Sequence, residues 1–163
     1  MEVRRIFEYA LQREYEGKRF FEENAKRLSH AAAVEAFKKL AAEEQKHIEY
    51  IQRQITLLDQ NKTPDMEMGA TMEAAGFFTA RAASEVIEVT VLEAMVPDLP
   101  VLRMAYLIER DFAEFYEKAA GKADGDARKV LETLAYWERR HEELFRQMHD
   151  RAFEAYADMP WGG

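Results

Sequence analysis

The sequence contains no cysteine. That absence removes disulfides, thiolate-bound metals, iron–sulfur clusters and a cysteine nucleophile in one step. Basic residues are not in excess: 23 Lys and Arg stand against 31 Asp and Glu, a formal charge of −8. A general nucleic-acid-binding role wants a basic face, so no nucleic-acid partner is expected. No stretch reaches the roughly eighteen uninterrupted apolar residues of a membrane span, so no membrane partner is expected either. The charged start, Met1 to Ile6, is not followed by a long apolar run, and no signal peptide is read there. The expected compartment is the cytoplasm. The length suits one domain, 1–163, with a full core.

Two short stretches stand out against this background: Glu44-Gln45-Lys46-His47 and Glu138-Arg139-Arg140-His141. Each is Glu-x-x-His, and on a helix this spacing puts both side chains on one face. A carboxylate beside an imidazole can bind a transition-metal ion. Either motif alone is weak evidence in a glutamate-rich chain. The surroundings strengthen it. Phe37, Leu40, Ala41, Ile48, Ile51 and Ile55 form an apolar stripe at helical spacing, which Glu44 and His47 interrupt. Leu131, Leu134, Phe145 and Met148 bracket Glu138 and His141 in the same way. A carboxylate on a core-facing stripe costs several kcal/mol unless it is paired or metal-bound.

The chain also repeats itself. Glu14 opens Glu-Tyr-Glu-Gly-Lys-Arg-Phe-Phe, and Glu109 opens Glu-Arg-Asp-Phe-Ala-Glu-Phe-Tyr about 95 positions later. The two Glu-x-x-His motifs are separated by almost the same distance. Glu14 and Glu109 each sit in a largely apolar stripe, like the motifs that follow them. The set is then one Glu from each of two helices and a Glu-x-x-His pair from each of two more. Four-helix bundles hold a pair of iron or manganese ions with such an inward-facing set.

The apolar period predicts helices over about 2–28, 32–58, 98–120 and 126–156, with short turns at Ser29-His30 and at Gly121 to Asp126. Pro64 ends the second helix; Asp98 is expected to cap the third, with Pro100 in its first turn. Gly17, three after Glu14, leaves room for metal, water or a neighbouring helix. His30 and His149 lack a Glu three before them and are read as surface histidines. Between 66 and 97 lies a long crossover, Met-rich and then strongly apolar, expected to hold an extra short helix. Parallel second and third bundle helices need such a crossover. Its apolar excess and Trp161 in the tail point to a homodimer.

In order, Glu-x-x-Gly-x-x-x-Phe from Glu14, Glu44-x-x-His47, Glu109, and Glu138-x-x-His141 resemble the rubrerythrin branch of the ferritin-like superfamily. The resemblance covers roughly 5–57 and 100–150. It implies an all-α fold, an antiparallel four-helix bundle, and a non-haem centre of two iron ions. It would make Glu14, Glu44, His47, Glu109, Glu138 and His141 the ligands, with Glu44 and Glu138 bridging. Two departures stand against that family's pattern. The Cys-rich rubredoxin-like domain is missing, so a separate electron-donor protein is implied. Phe112 also occupies the place of a second glutamate, one turn after Glu109.

The expected activity is oxidoreduction, with peroxide or dioxygen reduced at the two irons. Tyr116, seven residues after Glu109, could hydrogen-bond a ligand carboxylate or support radical chemistry. Ferrous oxidation for storage or detoxification would use the same residues with iron as substrate. A third reading is a structural or sensor protein holding zinc or manganese, since imidazole and carboxylate suit several metals.

Overall fold

The computed structural model describes residues 3–75 and 95–160, with the backbone alone at 73–75. The elements are α1 (Val3–Ala25), α2 (Ala31–Asp59), α3 (Met66–Ala75), a 3-10 turn (Val96–Asp98), α4 (Leu99–Ala120) and α5 (Gly125–Ala157). Among the described residues there is no strand. The fold is an all-α, ferritin-like helical bundle. Of the crossover, only α3 and the stretch from Met95 fall within the described residues; the apolar run before Met95 and Trp161 lie outside them.

The core explains the topology. It divides into two apolar clusters. One holds Ile6, Phe7 and Ala10 of α1, Tyr50 and Ile51 of α2, Phe112 and Tyr116 of α4, and Leu131 and Leu134 of α5. The other holds Phe21 of α1, Phe37 and Leu40 of α2, Leu102 and Ala105 of α4, and Phe145 of α5. Helices α1 and α5 therefore run from the first cluster to the second, and α2 and α4 run the other way. Two antiparallel hairpins result, α1–α2 and α4–α5. Parallel α2 and α4 cannot be joined by a tight turn, which is why the chain spends 60–98 between them. Each fully buried Phe or Leu contributes about 1.5–3 kcal/mol of transfer free energy. In the second cluster Phe21, Phe37 and Phe145 pack edge-on and stacked, with ring centroids 5.3–5.8 Å apart.

Helix α3 carries the Met-rich stretch. Met66, Met68 and Met72 pack on the first cluster, and Gly69 lets the helix lie against the Tyr50 ring. A methyl at Gly69 would come within 3.1 Å of the Tyr50 hydroxyl. The extra helix thus begins at Met66.

Two local expectations need correction. Helix α1 stops at Ala25 rather than Leu28, although Leu28 still reaches the core from the turn. Asp98 does not cap its own helix. Its backbone (φ −90°, ψ −5°) is already helical, so the side chain cannot fold back as an extended cap residue would. Instead its buried carboxylate accepts the backbone N–H groups of Ser29 (2.8 Å) and His30 (3.1 Å). The start of α4 therefore holds the α1–α2 turn. His30, read as a surface histidine, is half-buried and caps α2, its Nδ1 accepting the Ala32 N–H. At the other hairpin Gly125, with φ +58°, supplies the left-handed residue that turns the chain into α5.

Candidate metal centre

Between the two apolar clusters lies a polar layer. Helix α1 contributes Glu14, α2 Glu44 and His47, α4 Glu109, and α5 Glu138 and His141, all buried. These are the six residues singled out by the sequence, and the fold brings all six together. On every helix the apolar stripe runs through the layer unbroken in period, so the side chains that would have been core are these instead.

The geometry falls into two overlapping groups. Glu14, Glu44, His47 and Glu138 each offer a ligand atom within 4.8 Å of the others, and so do Glu44, Glu109, Glu138 and His141. Glu44 and Glu138 belong to both; each group adds one further Glu and one His. His47 Nδ1 is 2.9 Å from Glu138 Oε1, 3.3 Å from Glu14 Oε2 and 3.8 Å from Glu44 Oε2. His141 Nδ1 is 3.4 Å from Glu138 Oε2 and 3.5 Å from both Glu44 Oε1 and Glu109 Oε2. The two imidazoles stack with centroids 5.4 Å apart.

Four carboxylates this close and this dry do not tolerate full ionisation. Burial raises the Glu44 pKa well above the ordinary carboxylate value, and the charges of Glu138 and Glu14 raise it further. Burial and Glu138 do the same to Glu109. Burial works against a charged His47, but Glu138 and Glu14 outweigh it and lift its pKa to about 10. Glu138 moves the opposite way: burial opposes its charge, and the two histidines together hold its pKa below the usual range.

Hydrogen bonds do not satisfy this layer. All four oxygens of Glu44 and Glu109 are buried with no hydrogen-bond partner among the described residues. Glu138 is in ion-pair range of His47 without an aligned hydrogen bond. Unmet buried carboxylate oxygens cost several kcal/mol each, and divalent cations would satisfy them. Oxygen donors with one imidazole per group suit iron, manganese or zinc. The residues present therefore fit a pair of metal ions.

Around the layer, Tyr116 donates a hydrogen bond to Glu14 Oε1. Burial and the nearby Glu14 hold its phenol well above its ordinary pKa. Phe21, at the matching place in the first half, packs instead in the Phe37–Phe145 group. Gly17 and Phe112 face one another: a methyl on Gly17 would meet Phe112 Cε2 at 2.7 Å. Trp137, missed by sequence reasoning, lies flat on His47 with centroids 4.9 Å apart and planes at 17°. Its one sequence signal is its place immediately before Glu138. His149, half-buried, contacts Asp150 and Tyr106, away from the layer.

A helical bundle with carboxylates and histidines of this kind across its middle defines the ferritin-like class of metal-binding proteins. A family model described as Rubrerythrin matches residues 5–149. The chain belongs to the rubrerythrin family. Comparison with curated proteins and with solved structures gave no match. Among the described residues no helix is long and apolar enough to cross a membrane.

Proposed function

We propose that this protein is a di-iron oxidoreductase that reduces hydrogen peroxide or dioxygen with electrons from a separate redox protein. The observation that carries the reading is the sharing of Glu44 and Glu138 between two otherwise separate ligand groups, inside a closed apolar bundle. In it, Glu14 and His47 would hold one iron and Glu109 and His141 the other, with Glu44 and Glu138 available to both. When bound, two ferrous ions supply one electron each to an oxidant.

The chain's own residues set the conditions for that chemistry. Four carboxylates balance two divalent ions, so the loaded reduced layer is close to neutral and suits burial. Loading displaces the protons that burial otherwise keeps on Glu44 and Glu109. Tyr116 orients Glu14 and keeps its proton, because its pKa lies far above neutrality. The clusters on either side exclude bulk water.

With no cysteine in these 163 residues, no iron–sulfur group can relay electrons from within them. The proposal therefore includes a separate donor; it also takes up the homodimeric state and cytoplasmic location expected from the sequence.

Anaerobic purification with metal analysis, followed by stopped-flow mixing with peroxide and with dioxygen, tests the reading. Iron as the bound metal, oxidation by either oxidant and turnover on adding reductant are expected. Growth of a ferric mineral would point to iron storage. Bound zinc or manganese with no response to either oxidant would point to a structural or sensor role.

A further inference from the structure

On the outer side of Gly17, between α1 and α4, lies a cleft of about 240 Å³ lined by Arg13, Glu16, Gly17, Phe20, Asp111 and Phe112 among others. On its inner side is Glu44: a methyl built on Gly17 would stand 3.7 Å from Glu44 Oε2. One glycine and one phenyl ring thus separate solvent from a carboxylate common to both ligand groups. We propose that this cleft is the oxidant entrance, that Phe112 is its gate, and that the gate admits oxidants of two heavy atoms while excluding organic hydroperoxides. The proposal rests on the oxidant-reducing function above and assigns it a substrate class.

Three observations carry it. Phe112 lines the cleft yet is only 4% exposed, so its ring forms the floor rather than the rim. The ring occupies the space that any side chain at Gly17 would need, so the pair fills the gap with a movable group instead of a fixed methyl. A phenyl ring turns about two side-chain bonds; a helix backbone does not move on that scale. Third, the Arg13 guanidinium lies over the Phe112 ring, 4.8 Å from its centroid.

That guanidinium decides what passes. Its Nε–H is buried and has no hydrogen-bond partner among the described residues. An unmet donor beside the gate suits an oxygen acceptor such as peroxide. Glu16 and Asp111 line the same cleft as exposed carboxylates. They keep the cleft from being an anion site, which favours a neutral molecule over superoxide or an organic acid.

The test varies the gate and reads access in two ways. Trp161→Phe leaves Trp137, stacked on His47, as the one tryptophan, and its fluorescence in the metal-free protein reports small molecules reaching the layer. In that background dioxygen should quench it and acrylamide should not. Phe112→Leu keeps an apolar floor but shortens it, and should raise acrylamide quenching about tenfold. Adding Gly17→Ala to Phe112→Leu fills the gap from the opposite wall and should take most of that gain back. In the iron-loaded protein, Phe112→Leu should raise the oxidation rate by tert-butyl hydroperoxide relative to hydrogen peroxide by a similar factor. Thermal melts establish that each variant is folded; if Phe112→Leu does not fold, Phe112→Met replaces it.

Acrylamide quenching and oxidant selectivity unchanged by the gate variants would overturn the entrance while leaving the function intact, provided the wild type is oxidised. A wild type inert to both hydrogen peroxide and dioxygen would remove the function itself, and the oxidant assignment with it. Quenching alone would then decide whether the cleft is a path to the layer.

Discussion

Tyr116 on α4 donates its hydroxyl hydrogen bond to Glu14 on α1, 102 positions away in the chain, and not to Glu109 on its own helix. The bond ties the two hairpins together at the level of the buried polar layer. It also fixes one carboxylate oxygen of Glu14, leaving the other facing His47 at 3.3 Å. Tyr116→Phe should leave the bundle folded, since the ring still fills the first apolar cluster. A hydrogen bond to a charged group is worth about 1.5–3 kcal/mol, and losing it frees Glu14 to turn. Metal affinity, measured by competition with a chelator, should fall about tenfold, the lower end of the effect seen for groups that orient ligands. Unchanged affinity would mean that Glu14 is positioned by packing alone.

The buried layer also predicts how pH acts on the metal-free protein. Glu44 and Glu109 have raised pKa values in the fold, so their contribution to stability is present below the ordinary carboxylate value and is lost as pH rises through the raised ones. His47 behaves likewise over a higher window: its contribution is complete below about 6.5 and is lost as pH rises through about 10. Glu138, held low, contributes above the ordinary carboxylate value and loses that contribution as pH falls. The first three outnumber the last. Bound cations replace the lost protons, so the increase in melting temperature on metal loading should be larger at pH 8 than at pH 6. Paired melts of loaded and metal-free protein would show this. A smaller increase at the higher pH would contradict the electrostatic picture.

Asp98 gives a prediction away from the metals. Its carboxylate satisfies two backbone N–H groups of the α1–α2 turn from within a buried position. Asp98→Ala leaves both without that partner and should cost about 1–3 kcal/mol, and Asp98→Asn, which keeps one acceptor, should cost less. Urea unfolding measures both. Equal stability of the alanine variant and the wild type would show that water replaces the carboxylate at no cost.

How much of this was legible in the sequence follows from where each signal lies. Helix periodicity and the six polar interruptions are local patterns, and Glu14, Glu44, His47, Glu109, Glu138 and His141 were readable because each breaks an apolar stripe at a core-facing position. The parallel course of α2 and α4 followed from the repeat and the length of the crossover. Contacts between helices distant in sequence were not readable. Phe112 stood out in the sequence only as the residue in place of a second glutamate, and its packing against Gly17 depends on α1 and α4 coming together; Trp137, which lies on the His47 ring, was not singled out at all. Asp98 misled for a related reason. Its position before Leu99-Pro100 has the form of a helix cap, yet the acceptor groups are used across the bundle, where only the fold brings Ser29 and His30 within reach.

The central claim is that two ions sit in two ligand groups sharing Glu44 and Glu138. Metal stoichiometry tests it most directly: wild-type, Glu44→Ala and Glu138→Ala protein are loaded anaerobically with ferrous iron, freed of excess, and assayed for iron per chain. Removing either shared carboxylate takes a ligand from both groups at once. Two ions per chain in the wild type, and clearly fewer in each variant with the helices retained, are the predicted result. Two ions held as tightly by both variants as by the wild type would contradict it.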